Sequence, residues 1–234
     1  MGSHKVAVVT GGAKGIGRAI CDEFRNQGVV VCTIDILEND YFVGDIAEES
    51  VLMAFADKVI AEHGRIDYLI NNACLSKGGL KSCSYEDFNY VLKVGVSAPF
   101  LLAKLFMEHF NEGASIVNIS STRHIMSQSD TESYTAAKGG ITALTHGLAA
   151  TLAEKVRVNC ISPGWIDTTN SEFSKEDNTQ HPAGRVGIPA DIVNAVMFLC
   201  DEKNSFITGQ NITVDGGMTK LMIYHNDNGW KYEG

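Results

Sequence analysis

Two residues four positions apart, Tyr134 and Lys138, can carry acid/base chemistry in this chain of 234 residues. On a helix, residues with this spacing share one face, about one turn apart. A free tyrosine has a pKa of about 10 and is only about 0.1% ionised at neutral pH. A nearby ammonium group favours the phenolate by roughly 1–3 pKa units, which makes tyrosine a useful acid and base. Ser121 lies at the end of a predicted strand, and its hydroxyl can hold a substrate oxygen.

A glycine-rich turn near the N-terminus offers a place for a phosphate group. Residues 10–17 read TGGAKGIG, after a predicted strand and before a predicted helix. Glycine is needed where a turn is tight and the backbone must approach a pyrophosphate closely. The positive end of the following helix favours that anion, although a turn that serves only the fold is the alternative. The residues expected to contact a dinucleotide are Gly11, Gly12, Lys14, Gly15, Ile16 and Gly17.

Asp35 ends the second predicted strand, eighteen residues after the last glycine of the turn. A carboxylate there can accept both ribose hydroxyls of NAD, and it repels the 2′-phosphate of NADP. Ile36 follows it, where an arginine would pair with that phosphate, whereas Lys14 favours NADP weakly. We expect NAD rather than NADP, with a plain strand-end cap as the alternative role of Asp35. Asp45 and Ile46, after the third strand, suit the edge and face of an adenine ring.

Strand-like and helix-like apolar runs alternate along the chain. Several strands are continuously apolar, which is typical of a parallel sheet covered by helices on both faces. The alternation of strands and helices predicts a doubly wound α/β fold with right-handed crossovers. The polar stretch 168–180 is interpreted as a substrate lid. We predict one domain over 1–234 with a C-terminal tail at about 220–234. The predicted strands are 6–9, 30–34, 41–43, 66–71, 115–119, 157–161 and 212–214, and the predicted helices are 15–26, 50–62, 85–111, 134–154 and 189–200.

Composition excludes several classes of function. The formal net charge of -9 argues against a nucleic-acid surface and against adhesion to anionic lipid. We see no apolar run of the roughly 18 residues that span a membrane, and no secretory signal. The six cysteines form no CxxC pair, which favours free thiols in the cytoplasm. The histidines do not cluster with them, so we expect no metal site.

With these motifs assembled, the chain resembles the short-chain dehydrogenase/reductase family from Lys5 to about Met218. The resemblance implies a single Rossmann-type domain with a seven-stranded parallel sheet. It also implies an NAD(P)-dependent oxidoreductase that acts on CH–OH groups, with Tyr134 as the acid/base, Ser121 beside it and Lys138 also on the nicotinamide ribose. The matching strings are residues 10–17, 45–46, 71–73, 120–121, 134–138, 163–168 and 214–217.

The same resemblance implies further roles along the cofactor. Asn72 would lie along it, and Pro163, Ile166 and Thr168 would line the nicotinamide carboxamide. The family commonly forms dimers and tetramers through the helix that carries the catalytic tyrosine. In this chain that helix is rich in small residues, so we expect a homo-oligomer.

Two departures from the family concern the flow of protons. Cys74 stands where the family usually has glycine, and Gly95 stands where it usually has an asparagine whose backbone holds a water linked to the lysine. Either a water or the Cys74 thiol restores this network, or catalysis is slowed. We favour a restored network because Ser121, Tyr134 and Lys138 are all present.

The expected substrate pocket is polar. Its walls are predicted from 75–79, 122–130 and 167–172, which favours a small polar secondary alcohol or ketone such as a sugar or polyol. Arg123 and His124 offer another possibility, a carboxylate on a hydroxy acid or an oxoacyl substrate. Two other functions stay open: a catalytically weakened NAD-binding regulator, and an NADPH-dependent 3-oxoacyl-type reductase. The tail aromatics are expected to dock on a neighbouring subunit or on their own, and they are Tyr224, Trp230 and Tyr232, with Met222 beside them.

Overall fold

Seven parallel strands form one central sheet in the computed structural model, which describes residues 4–231. The strands lie in the order β3-β2-β1-β4-β5-β6-β7, and all neighbouring pairs are parallel. The predicted doubly wound, Rossmann-type fold class is confirmed. The ends of the predicted domain and Tyr232 lie outside the described residues. The strands are β1 Val6–Thr10, β2 Val30–Asp35, β3 Phe42–Val43, β4 Ile66–Asn71, β5 Phe110–Ile119, β6 Val156–Pro163 and β7 Asn211–Val214.

Helices cover both faces of the sheet with apolar stripes. In the first helix Ile16, Ile20 and Phe24 recur every fourth residue and pack into the core, because this spacing places them on one helix face. Arg18 and Asp22 form an ion pair away from the core. The helices are α1 Gly15–Asn26, α2 Glu49–His63, α3 Tyr85–Leu92, α4 Ala98–Leu105, α5 Glu132–Thr151, α6 Lys175–Thr179 and α7 Pro189–Cys200, with a π-helical segment Lys93–Ser97 between α3 and α4.

The order of the strands creates a crevice at the carboxyl ends of the central strands. The chain runs outward from β1 to β2 and β3 and then returns to β4, on the other side of β1. Thr10 pairs with Ile34 of β2 and with Asn71 of β4, so the loops after these three strands leave the sheet side by side. Such a reversal point is where open α/β sheets bind their ligands.

The predicted helix 85–111 runs too far. The helix ends at Leu105, and β5 begins at Phe110 rather than at 115. Phe106 and Phe110 are both fully buried, and their four-residue spacing continues the helical pattern. Periodicity cannot separate a helix end from the start of a buried strand when both are apolar.

One helical stretch departs from the expectation about membrane spans. Tyr85–Leu105 is long and apolar enough to cross a membrane by length and composition, and it is the only such stretch among residues 4–231. In this fold it covers the sheet, with Val94, Ala98 and Leu102 in the core. Packing against the sheet thus accounts for part of its apolar composition, since about a third of the stretch (33%) is buried.

Candidate active site

The glycine turn joins β1 to α1 in a conformation that side chains would disrupt. Gly11 and Gly15 have positive φ angles of 67° and 57°, which glycine adopts without steric cost. A Cβ added at Gly17 would lie 2.1 Å from the carbonyl oxygen of Gly11. The same addition at Gly12 would lie 2.7 Å from Cys21 Sγ. The turn thus brings bare backbone to the N-terminus of α1, at the crevice between β1 and β4.

Asn72 holds the glycine turn in place. Its side-chain amide donates to the carbonyl oxygens of Thr10 and Gly11, both at 3.0 Å. Its backbone N–H donates to Thr10 Oγ1 at 3.0 Å. The structure therefore gives Asn72 a role in shaping the turn, which the resemblance did not indicate. Contact with a cofactor stays a prediction.

Asp35 also fixes the turn. One carboxylate oxygen accepts from Ala13 N–H at 3.0 Å, and the other accepts from Leu37 N–H at 2.9 Å. The predicted strand-end cap is therefore present. A carboxylate has about four acceptor positions, so these two bonds leave Asp35 able to accept ribose hydroxyls.

Asp45 is held by a residue that the sequence did not single out. Tyr90 donates its hydroxyl to Asp45 at 2.9 Å, and Ala47 N–H donates to the other oxygen at 2.9 Å. Burial and this bond raise the pKa of Tyr90 to about 12, so Tyr90 stays a donor at neutral pH. Ile46 is buried in the core beneath α2. Asp45 is thus positioned at the same edge as Asp35, after β3.

The remaining predicted cofactor residues lie on the turn itself or on the segment at and after the end of β6. A Cβ added at Gly15 would meet the Thr168 side chain at 3.4 Å, so the segment after β6 reaches the glycine turn. Pro163 ends β6, and Ile166 bridges to Gly187. Lys14 is exposed at the N-cap of α1. Bare backbone, a helix N-terminus and a carboxylate at the end of β2 together fit a dinucleotide.

Ser121, Tyr134 and Lys138 come together at the neighbouring end of β5. Ser121 caps the 3₁₀ turn Thr122–His124, and the other two lie on α5. Lys138 is 3% exposed, and its Nζ donates to Ile119 O at 2.7 Å. The same Nζ is 5.3 Å from the centre of the Tyr134 ring. The structure therefore places a buried ammonium group beside the phenol, as the spacing predicts.

Burial changes the expected balance at the phenol. Burial raises the pKa of Tyr134, while the charge of Lys138 and a hydrogen bond with Ser121 lower it, and the net direction is upward. Burial lowers the pKa of Lys138, but Cys74 and Tyr134 outweigh it, and the net direction is again upward. The expectation that Lys138 alone would bring the phenol into a useful range omitted desolvation. A further positive charge at the site would be needed to favour the phenolate.

Cys74 and Gly95 both lie at the pair on α5. The Cys74 thiol is exposed and interacts with Tyr134 and Lys138. Gly95 lies within the π-helical segment, where a Cβ would come within 2.8 Å of Ala137 Cβ. Glycine is therefore required here by close helix packing, in addition to any role in the proton network.

This contact gives a prediction for stability. Gly95→Ala is expected to destabilise the fold by about 1–3 kcal/mol, because the added methyl overpacks the contact. Ala137→Gly alone costs about 0.5–1 kcal/mol as a helix substitution. The double variant should be more stable than the sum of the two losses, measured by denaturant unfolding. Strict additivity would contradict the contact. Restoring the family's asparagine with Gly95→Asn would test the proton network, but it adds the same Cβ. That test is therefore made together with Ala137→Gly, which relieves the contact.

A cavity of about 740 Å³ opens beside Ser121 and Tyr134. Its lining mixes polar side chains with the large apolar ones of Met126, Trp165 and Met218, so it is less polar than expected, and the walls also differ in detail. No residue of 167–172 lines it; Gly164, Trp165 and Gln180 supply that side. From the predicted wall 75–79 only Ser76 takes part, and the other lining residues are Thr122, Arg123, Met126, Ser127, Gln128, Thr131 and Met218.

His124 points away from this cavity. Its Nδ1 is 2.7 Å from Ser121 O, and its Nε2 is 3.1 Å from Asn211 Nδ2. Both ring nitrogens of His124 thus have protein partners. The expectation that His124 binds substrate with Arg123 is wrong; His124 fastens the turn to β7.

Part of the predicted lid is a helix. Lys175–Thr179 forms α6, whose N-cap is Ser174 with a capping box to Asp177. The Ser-x-x-Asp spacing was a readable signal for this start. Gln180, directly after α6, reaches the cavity. Gln180 is the only residue of 168–180 in the lining, so the lid stays a prediction.

Sequence and fold comparisons agree on the class of protein. The family profile described as Enoyl-(Acyl carrier protein) reductase matches residues 11–219. With the seven-stranded sheet and the assembled residues, this shows that the chain belongs to the short-chain dehydrogenase/reductase family of oxidoreductases.

Three solved structures are similar over nearly their whole length. An apo SCOR enzyme of Clostridium thermocellum is 45% identical with a TM-score of 0.91, covering 100% of this chain and 99% of that one. The aldohexose dehydrogenase of Thermoplasma acidophilum is 28% identical with a TM-score of 0.88, covering 96% and 98%. A 4-hydroxyisoleucine dehydrogenase complexed with NADH is 27% identical with a TM-score of 0.85, covering 94% and 100%.

Proposed function

We propose that the protein is an NAD-dependent oxidoreductase that interconverts a small polar secondary alcohol and its ketone. The observation that carries this proposal is the assembly of Ser121, Tyr134 and a buried Lys138 beside a cavity that carries many hydroxyl and amide side chains. The glycine turn and Asp35 lie at the same carboxyl ends of the parallel strands. When bound there, the nicotinamide group accepts or returns a hydride at the substrate carbon.

Each of the three side chains has a distinct task. Ser121 Oγ accepts from Arg123 N–H at 3.2 Å and hydrogen-bonds to Tyr134, so its proton would turn from the phenol to hold a bound substrate oxygen. Tyr134, as phenolate, takes the proton of the substrate hydroxyl during oxidation and returns it during reduction. Lys138 is fixed by Ile119 O, and its charge stabilises the phenolate between these steps.

The pH dependence follows from this arrangement. Oxidation needs the phenolate, so kcat/KM for the alcohol should rise with pH through the pKa of Tyr134. Burial raises that pKa and Lys138 lowers it. Lys138→Met should therefore move the midpoint upward, because it removes the charge that favours the phenolate, and kcat/KM for the ketone should show the opposite slope. An unchanged midpoint would contradict the role of Lys138.

NAD is favoured by the charge of Asp35. The 2′-phosphate of NADP would meet the Asp35 carboxylate, which two backbone N–H groups hold in place. The next residue is Ile36, so no arginine there can pair with that phosphate. The similar 4-hydroxyisoleucine dehydrogenase was solved with NADH. Asp35→Asn should shift the ratio of kcat/KM for NADP⁺ and NAD⁺ about tenfold toward NADP⁺, because it removes the repulsion. General damage to the turn would lower kcat/KM for both cofactors and so leave their ratio unaffected. An unchanged ratio would show that Asp35 does not determine the choice of cofactor.

The serine, threonine and glutamine side chains in the lining support a sugar, a polyol or another polar alcohol, although Met126, Trp165 and Met218 line the cavity beside them. The names of two similar proteins, an aldohexose and a 4-hydroxyisoleucine dehydrogenase, fit this class. The description of the matching family favours an acyl-carrier reductase instead, which would use an apolar tunnel and NADPH in our reading of the residues. A weakened regulator stays the other alternative, and measured turnover decides between them.

We also propose a homo-oligomer, a dimer or tetramer, in the cytoplasm. The outer side of α5 supports the assembly: Ala143 and Gly147 are exposed, and a Cβ at Gly147 would meet no atom within 4 Å. Such a flat face lets another helix approach closely. The six cysteines are free, which agrees with a reducing compartment. A monomer mass in light scattering at working concentration would contradict the assembly.

A further inference from the structure

Arg123 is the only charged side chain in the lining of the 740 Å³ cavity, among residues 4–231. It shares that cavity with Ser121 and Tyr134. We propose that Arg123 binds a carboxylate of the substrate, so that the alcohol is a hydroxy acid and the ketone an oxo acid. This inference rests on the proposed function for the reacting carbon and adds the chemical class of the substrate.

The guanidinium group has spare donors. Its Nη1 donates to Thr131 Oγ1 at 3.2 Å, and its Nη2 donates to Gln128 Oε1. Both acceptors are neutral, and no ion pair in the described chain includes Arg123. Of five guanidinium N–H groups, three thus have no described protein acceptor. Arg18 and Arg185, in contrast, are both paired with aspartates.

The nearest acidic loop does not neutralise it. Asp130 lies in the same connection as Arg123, but its carboxylate accepts from Lys81 N–H and from Ser82 Oγ, both at 2.8 Å. The planar guanidinium of arginine suits ion pairs that are buried or lie in an interface, and it matches the geometry of a carboxylate. The arrangement leaves one positive charge directed to the cavity of a chain whose formal net charge is -9.

The backbone under Arg123 is fixed relative to the reacting groups. Arg123 N–H bonds directly to Ser121 Oγ. His124, the next residue, is held by Ser121 O and by Asn211 of β7. A carboxylate on Arg123 would therefore be placed at a set position from Ser121 and Tyr134, which would select the carbon that is oxidised.

A carboxylate fits this site better than a phosphate. The planar guanidinium matches both oxygens of a carboxylate. A single arginine balances a single negative charge, whereas a phosphate monoester carries nearly two. No other cation lines the cavity in the described part of the chain to share such a charge.

The test compares matched acids and amides. Binding of 2-, 3- and 4-hydroxybutyrate, of the corresponding hydroxybutyramides and of glycerol 3-phosphate is measured by calorimetry on the enzyme saturated with NADH. The proteins are wild type, Arg123→Gln, Arg123→Lys and the control Arg65→Gln. Arg65 is an exposed arginine directly before β4, at the amino ends of the strands, whereas the candidate site lies at their carboxyl ends.

Wild type and Arg65→Gln should bind at least one acid about 10- to 100-fold more tightly than its amide, as a charged hydrogen-bonded contact implies. Arg123→Gln should lose this preference, and Arg123→Lys should keep part of it. Equal affinity for acid and amide, a preference that survives in Arg123→Gln, no binding of any acid, or a preference for glycerol 3-phosphate would each overturn the proposal.

Turnover separates this inference from the proposed function. Arg123-dependent acid binding without NAD⁺ reduction by any alcohol would leave the carboxylate site standing and refute the oxidoreductase proposal. NAD⁺ reduction by neutral alcohols, with no preference for acids, would support the oxidoreductase proposal and refute the carboxylate site. In the expected case, Arg123→Gln raises KM for the acid while KM for NAD⁺ is unchanged.

Discussion

Tyr134→Phe is expected to lower kcat for alcohol oxidation by about 10²- to 10⁴-fold, the usual contribution of a positioned acid/base. The substitution removes one oxygen and keeps the ring that packs beside Lys138. NADH affinity should therefore change little, and so should the unfolding temperature. The measurement is NAD⁺ reduction followed at saturating substrate, with NADH binding followed by fluorescence on the same samples.

A useful control for that experiment is Tyr90→Phe. Tyr90 also loses only a hydroxyl, which donates to Asp45 outside the cavity. We expect this variant to keep kcat within a few-fold of wild type and to change mainly the affinity for the dinucleotide. Equal losses of kcat in the two variants would show that Tyr134 has no special chemical role.

Gly17→Ala is expected to weaken NADH binding about 100-fold or more. The new methyl would lie 2.1 Å from Gly11 O, and Gly11 O also accepts from the Asn72 amide. The turn must therefore move, at a cost near the upper end of the roughly 1–3 kcal/mol of overpacking, with each 1.4 kcal/mol equal to tenfold in affinity. Calorimetric titration with NADH measures it.

Gly147→Ala is the matched control for Gly17→Ala. A Cβ at Gly147 meets nothing within 4 Å, and alanine favours a helix over glycine by about 0.5–1 kcal/mol. This variant should bind NADH as wild type does, because the position lies outside the glycine turn, and its mass in light scattering shows whether the added methyl disturbs the proposed α5 contact. Unimpaired NADH binding by folded Gly17→Ala would contradict the position of the dinucleotide on the glycine turn.

Several parts of the fold followed from the sequence because one physical signal dominated. Continuous apolar strands such as β1 required burial on both faces, and the predicted bounds 6–9 come within one residue of the observed Val6–Thr10. α1 had a glycine turn before it and an apolar stripe along it, so both ends were readable. The end of α4 was not readable, because Phe106 and Phe110 stay apolar through the change from helix to strand.

The site was predictable in its residues but less so in its energetics. The spacing placed Lys138 beside Tyr134, yet burial of the phenol, which raises its pKa, arises from packing of distant segments. The contact between Gly95 and Ala137 likewise joins two helices that are far apart in sequence. The orientation of His124 depended on Asn211 of β7, so its separation from Arg123 could not be inferred locally.

The most direct test of the central claim is the reduction of NAD⁺ and, separately, of NADP⁺ with sugars, polyols, hydroxy acids and hydrophobic secondary alcohols. Our account predicts turnover with NAD⁺ and a polar alcohol, at a higher kcat/KM than with NADP⁺, and loss of that turnover in Tyr134→Phe. Turnover that requires NADP⁺ or a hydrophobic alcohol, or that survives in Tyr134→Phe, would contradict it. So would NADH binding without reduction of either cofactor across the panel.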